Sequence, residues 1–165
     1  MADGSKLANL RRGIPPHKKV TLGYGDNTVD VMVVLLSSDI SQEIDELTEE
    51  YCKANESKAN AKVRNQYYNR LLCLHCMRDP EDPHFDTHMA QTVDEVGEML
   101  DLEDIKMVCQ AYQELIVNRA PKLEVLKEEE LEEIKNFLEV TPLKDLSTVS
   151  LVHLKYFHQT IVSEK

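Results

Sequence analysis

Hydrophobic and polar positions alternate in the first part of the chain that carries a regular pattern. Val20, Leu22 and Tyr24 alternate with polar or small residues as far as the turn sequence Gly25-Asp26-Asn27. After the turn, the alternating apolar positions are Val29, Val31, Val33 and Leu35. Two such runs around a glycine-containing turn predict a β-hairpin over residues 19–36. Because a lone hairpin is not stable in water, we expect helices or another subunit to cover it.

Beyond the hairpin, apolar residues recur at helical spacing. Ser38 is a suitable N-cap for a first helix, whose narrow apolar stripe consists of Ile40, Ile44, Leu47 and Tyr51. A second helix is predicted over residues 61–78, with Val63, Tyr67, Leu71 and Leu74 on one side. Its last turns, Leu71–Met77, are apolar nearly all round, so we expect them at the centre of a core or an interface.

A loop with two Asp-Pro pairs separates this helix from two capped helices. The pairs are Asp79-Pro80 and Asp82-Pro83. Thr92 and Glu95 form a capping box, in which we expect the Glu95 side chain to bind the Thr92 backbone N–H. Asp101 is the expected N-cap of the next helix. The apolar stripe of that helix consists of Ile105, Val108, Cys109, Tyr112, Leu115 and Ile116.

Two further segments follow Pro121. The first is a strongly acidic helix whose apolar face consists of Leu123, Leu126, Leu131, Ile134 and Leu138. We interpret its glutamate run, 128–130 with 132 and 133, as a solvated outer face, with contact to a basic partner as the alternative. The second segment, 147–163, follows neither period cleanly. We predict a helix capped by Ser147 that is either buried or available to a partner.

These patterns predict a mainly α, α+β fold: an N-terminal β-hairpin followed by about five to six helices, packed as a single bundle-like domain. We expect residues 1–16 to form a flexible basic arm, 17–140 the domain, and 141–165 a C-terminal segment that is helical or binds a partner.

Charge narrows the range of partners. The 165 residues carry a net charge of −11, while residues 1–19 hold five Lys or Arg against one acid, which leaves the rest at −15. An acidic body argues against nucleic-acid binding, which needs clustered cations. No apolar run reaches the ~20 residues of a membrane span. The first residues lack the apolar core of a secretory signal, so we expect reduced cysteines in a cytoplasm.

Candidate chemistry is concentrated around the second helix. Cys73, Cys76, His84 and His88 are residue types that zinc prefers. The alternative, which we favour, treats the cysteines as small hydrophobes in a packed helix end and the histidines as loop residues. The chain has no Gly-rich phosphate loop and no Gly-x-Ser-x-Gly motif. We therefore expect no enzymatic activity, no catalytic residues and no cofactor.

The order of features resembles that of tail assembly chaperones from long-tailed phages. The segments that carry the resemblance, within residues 17–116, are Tyr68-Asn69-Arg70-Leu71-Leu72, Arg78-Asp79-Pro80, Thr92-Val93-Asp94-Glu95-Val96, Leu102-Glu103-Asp104-Ile105 and Tyr112-Gln113-Glu114-Leu115. That family has an N-terminal hairpin, a helix entering an Asp-Pro loop, a short capped helix and a helix that packs back. The acidic helix 122–139 and the tail 141–163 extend beyond its short form.

The resemblance implies a non-enzymatic protein that keeps the tape measure protein soluble in the cytoplasm of an infected bacterial host. Apolar side chains would then bind amphipathic helices of that partner. The residues we predict for this contact, each with core packing as the alternative, are Leu154, Tyr156, Phe157, Ile161, Tyr67 and Tyr68.

Two other classes of function remain open at this stage. One is a structural phage subunit, such as a head–tail connector or tail completion protein, which would form a homo-oligomer. The other is a small zinc-binding regulatory protein.

Overall fold

The computed structural model describes residues 13–119, 128–142, 145–146 and 153–154. Their elements, in chain order, are β1 (His17–Tyr24), β2 (Asn27–Val34), α1 (Ser38–Ala54), α2 (Ala61–Cys76), β3 (Met77–Arg78), α3 (Val93–Met99), α4 (Leu102–Arg119) and α5 (Glu128–Val140). The predicted fold class is confirmed, since an N-terminal antiparallel hairpin is followed by five helices in this part of the chain. The protein is divided into two compact units, Met1–Tyr112 and Gln113–Lys165.

The hairpin forms as its alternation predicts. β1 and β2 pair antiparallel, from His17 opposite Val34 to Tyr24 opposite Asn27, around the two-residue turn 25–26. Residues that face each other across an antiparallel pair share one side of the sheet. The buried members of the core side are Leu22, Val31 and Val33. The helix α2 packs against β2, as expected for a hairpin that needs cover to be stable in water.

The end of α2 differs from its prediction. The helix stops at Cys76 rather than at residue 78, and Met77 adopts extended backbone angles. Met77 and Arg78 instead form β3, which pairs with β2 through Met32 opposite Arg78. This pairing satisfies backbone groups along one side of β2, which a continued helix would leave without a strand partner. The sheet order is β1-β2-β3.

Side-chain caps fix the starts of α3 and α4. The Thr92 hydroxyl accepts the Glu95 N–H at 3.1 Å, which confirms half of the predicted capping box. The Glu95 carboxylate accepts the N–H of Gln91 at 2.7 Å, not that of Thr92. Asp101 caps α4 as predicted, because its carboxylate accepts the N–H of Asp104 at 2.8 Å. The N-cap of α1 is Ser37, so Ser38 is the first helical residue instead.

The predicted burial of the end of α2 is confirmed for most of its residues. Leu71, Leu72, Cys73, Cys76 and Met77 are buried, whereas Leu74 and His75 are partly exposed. The other fully buried side chains of the first unit include Ile44, Thr48, Val96 and Val108. None of the helices in the described part of the chain is long and apolar enough to cross a membrane.

Candidate functional site

The Cys/His group predicted as a minority metal site is not assembled. Cys73 and Cys76 are buried in the core, whereas His84 is exposed in the Asp-Pro loop. Nδ1 of His88 lies 3.0 Å from Arg78 and 3.1 Å from the Leu74 carbonyl. Within the residues that the structure describes, no three His, Cys, Asp or Glu side chains are placed to hold a metal ion.

Three of the cysteines lie close together instead: the buried Cys73 and Cys76 and the partly buried Cys109. All four are free of disulfides. The Cys73 thiol is hydrogen-bonded to that of Cys109 on α4, and both this bond and burial raise the pKa of Cys73. Burial also raises the pKa of Cys76. Since zinc binds the thiolate, both side chains are suited to packing as neutral thiols rather than to holding a metal.

The Asp-Pro loop is organised around one carboxylate. Asp82 accepts hydrogen bonds from the N–H groups of His84 at 3.0 Å, Asp86 at 3.0 Å and Thr87 at 2.8 Å, and from the Thr87 hydroxyl at 2.8 Å. These donors, with the His84 N–H first, hold the pKa of Asp82 at about 2. The Phe85 ring contacts that of His17 on β1, with 4.7 Å between centroids. The loop is therefore a built structure that packs against the hairpin.

A basic cluster lies where this loop meets β3. Arg78 is buried, and its guanidinium donates to the Met77 carbonyl and to Nδ1 of His88. The rings of His88 and His75 lie edge to face, with 6.5 Å between their centroids. Burial lowers the pKa of His75, and the neighbouring His88 and Arg78 lower it further. The residue types allowed zinc ligands here as the less favoured alternative, whereas in the structure His88 accepts a hydrogen bond from a buried arginine.

Tyr67 and Tyr68, which we predicted as partner contacts, lie among other side chains of the first unit. The Tyr67 ring stacks on that of Tyr51 of α1, with centroids 3.8 Å apart. Tyr68 is partly exposed, and burial raises the pKa of its phenol. Leu154 in the tail is 37% exposed. Tyr156, Phe157 and Ile161 lie outside the described residues.

Several large apolar side chains that the sequence patterns did not single out are exposed. At the corner between α3 and α4, Met99 is 73% exposed and Leu102 is 62% exposed. On α5, the exposed fractions are 52% for Phe137 and 80% for Val140. A helical wheel could have flagged Phe137, since it lies off the stripe formed by Leu131, Ile134 and Leu138. Exposed apolar residues of this size indicate surfaces that contact other proteins when they occur together.

Comparisons with known proteins identify no relative of this chain. No protein-family model, curated protein or solved structure matches this chain. The distinctive features of the described residues are a structured Asp-Pro loop, a cluster of packed thiols and large apolar side chains that are exposed on an acidic protein.

Proposed function

We propose that this chain is a non-enzymatic phage tail assembly chaperone, which binds the tape measure protein and keeps it soluble in the cytoplasm of an infected bacterium. The order of elements supports the proposal. A hairpin precedes α2, which enters the Asp-Pro loop, and the Thr92-capped α3 and then α4 follow. This order is the one on which the resemblance to that family depends.

The observation that carries the proposal is the exposure of large apolar side chains on two helical segments. Met99 and Leu102 are separated by only two residues at the corner between α3 and α4, and both are mostly exposed. Phe137 and Val140 are exposed on α5. A protein that covers apolar faces of helices needs such side chains, because their burial against the partner drives association.

The acidic exterior supports the same role. A net charge of −11 keeps copies of the chain apart despite their exposed apolar side chains. Exposed acids surround the corner between α3 and α4: Asp94 and Glu98 lie on α3, and Asp101 is the N-cap of α4. A holding chaperone combines these two properties, since it must bind apolar surface without aggregating itself.

Co-expression tests the proposal. We expect a gene for a long helical protein beside the gene for this chain, and its product is expressed with the chain, with the empty vector, or with an unrelated acidic protein of similar size. We expect the long protein in the soluble fraction, and in complex, only when this chain is present. Equal solubility in all three cultures would contradict the proposal. A ring of many copies of this chain by light scattering, without the long protein, would instead support a connector or tail completion subunit.

A further inference from the structure

One face of α5 is exposed along its whole length and changes from acidic side chains to apolar ones. Glu129, Glu130, Glu133, Phe137 and Val140 are all exposed. Their spacings of one, three, four and three residues place them on one side of the helix. The stripe rises about 17 Å along the axis, from glutamates at its start to two apolar side chains at its end. We call these five residues the α5 face.

The opposite side of α5 is the apolar side on which the helix is buried. Leu138 is buried, and Leu131 and Ile134 are partly buried. This stripe gives the helix the single apolar side that an amphipathic surface helix needs. Phe137 and Val140 lie outside it. Their exposure thus adds nothing to that packing, and exposed aromatic side chains are typical anchors of protein interfaces.

Charge indicates what kind of partner fits this face. α5 contains six glutamates and one lysine, and Lys135 lies 3.7 Å from Glu132, away from the face. Glutamates in the first turn favour the helix through its dipole, but Glu133 lies beyond that turn. A partner that covers Phe137 and Val140 brings its neighbouring side chains close to these carboxylates. Lys or Arg at those positions pair with them, whereas Asp or Glu are repelled.

We propose that the α5 face docks one amphipathic helix of the partner, whose apolar residues cover Phe137 and Val140 and whose Lys or Arg residues pair with Glu129 and Glu133. The inference rests on the proposed function and names the surface and the partner chemistry that it uses. A straight helical stripe fits a second helix laid along it, since side-chain ridges of one helix pack into grooves of the other. The unequal ends of the face set the orientation of the bound helix.

Designed peptides test this surface with the full chain. One fluorescent peptide of about 18 residues has Leu at helical spacing and Lys elsewhere, and a second has Glu in place of every Lys. We expect fluorescence anisotropy to detect binding of the Leu/Lys peptide, weakened by added salt, and no binding of the Leu/Glu peptide. Equal binding of both peptides would overturn the charge argument.

Variants locate the binding. Phe137→Ser, Val140→Ser and the double variant Glu129→Gln, Glu133→Gln should each weaken the Leu/Lys peptide roughly tenfold. The matched acidic control is Glu46→Gln, Glu50→Gln, which has the same four-residue spacing on the exposed side of α1. The matched apolar control is Met107→Ser on α4, where the side chain is 42% exposed. Both controls should bind as the original chain does. Circular dichroism melts check folding, and the double variant, which alters only exposed side chains, tests the face if a serine variant unfolds.

The results separate this proposal from the chaperone function. Peptide binding that is unchanged in all α5 variants, or weakened equally by the control variants, overturns the α5 face even if co-expression succeeds. Peptide binding lost in the α5 variants, combined with failed co-expression, retains the face and rejects the chaperone. If the chain self-associates and the α5 variants make it monomeric without any peptide binding, a second copy occupies the face and the proposal is wrong.

Discussion

Arg78 donates a hydrogen bond from Nη1 to Nδ1 of His88 across 3.0 Å. An arginine has only donors, so Nδ1 of His88 must accept, and the ring proton of the neutral imidazole resides on Nε2. The 3.1 Å approach of the same Nδ1 to the Leu74 carbonyl is then a contact between two acceptors. The pair of Arg78 and His88 joins the Asp-Pro loop to β3.

The His88→Ala variant tests this join. Removing the imidazole takes one acceptor from a buried guanidinium, so we expect a loss of about 1–2 kcal/mol in the free energy of unfolding. Urea denaturation at pH 7.5 measures it. His84→Ala, which is exposed like His88 but has no contact with Arg78, is the control and should change stability by less than about 0.5 kcal/mol. Equal effects from the two variants would mean that the Arg78 contact adds nothing.

The pH dependence of stability tests His75. Burial lowers the pKa of His75, and Glu43 opposes the shift while His88 and Arg78 add to it. The unfolded chain therefore binds this proton more tightly than the folded protein does. Stability is full above the unfolded pKa of about 6.5, falls as pH drops below it, and levels off beneath the lowered folded pKa. The urea midpoint should decrease as pH is lowered across that range. His75→Gln should make the plot of midpoint against pH flatter. A variant with the full original slope would contradict the assignment.

Local signals explain why the helix starts were predictable. The bonds between Thr92 and Glu95, and between Asp101 and Asp104, join residues three positions apart. Residue types at that spacing therefore carry most of the information. The exception is Glu95, which binds the N–H of Gln91 rather than that of Thr92. Both are backbone donors at the same helix end, and a sequence pattern does not distinguish them.

The end of α2 was mispredicted because a distant strand decides it. The apolar run Leu71–Met77 fits a buried helix or a buried strand, and periodicity alone does not separate the two. Pairing of Arg78 with Met32 of β2 converts its last part to β3. Such a contact joins residues far apart in the chain, so no local pattern contains it.

The candidate site was harder to predict than the fold. Cys73 and His84 have the right types for a shared ligand set, yet one is in the core and the other in an exposed loop. Spacing records residue chemistry but not where the side chains lie. The exposure of Phe137 was easier to predict, because on a helical wheel this residue lies off the stripe formed by Leu131, Ile134 and Leu138.

Two glycines of the hairpin give a matched stability test. Gly23 and Gly25 both have left-handed φ angles, +88° and +62°. A Cβ on Gly23 would lie 2.2 Å from the Asn27 carbonyl oxygen, whereas one on Gly25 meets open space. We expect Gly25→Ala to cost about 1 kcal/mol for the backbone angle alone, and Gly23→Ala to cost more than about 3 kcal/mol. Thermal melts measure both. Equal losses would show that the turn relaxes without cost.

The acid titration of Asp82 tests how the Asp-Pro loop is held together. Its pKa of about 2 lies below the usual value of 3.8, because the N–H groups of His84, Asp86 and Thr87 and the Thr87 hydroxyl stabilise the carboxylate. The folded pKa is depressed, so the stability that this group contributes is present above pH 3.8 and is lost as pH falls through about 2. Carboxyl carbon shifts in NMR should titrate near pH 2, together with the amide shifts of Asp86 and Thr87.

Asp82→Asn supplies the matching variant. Oδ1 of Asp82 accepts the N–H of His84, whereas Oδ2 accepts the N–H groups of Asp86 and Thr87 and the Thr87 hydroxyl. The amide has one acceptor oxygen, and the orientation that keeps the three Oδ2 bonds turns its NH2 group towards the N–H of His84. We expect the His84 amide to exchange with solvent faster, while the Thr92-capped start of α3 keeps its protection. Asp94→Asn, an exposed acid of α3, is the control and should leave loop exchange unchanged. If Asp82 titrates near pH 4 and Asp82→Asn leaves exchange at the His84 amide as it was, the carboxylate does not organise the loop.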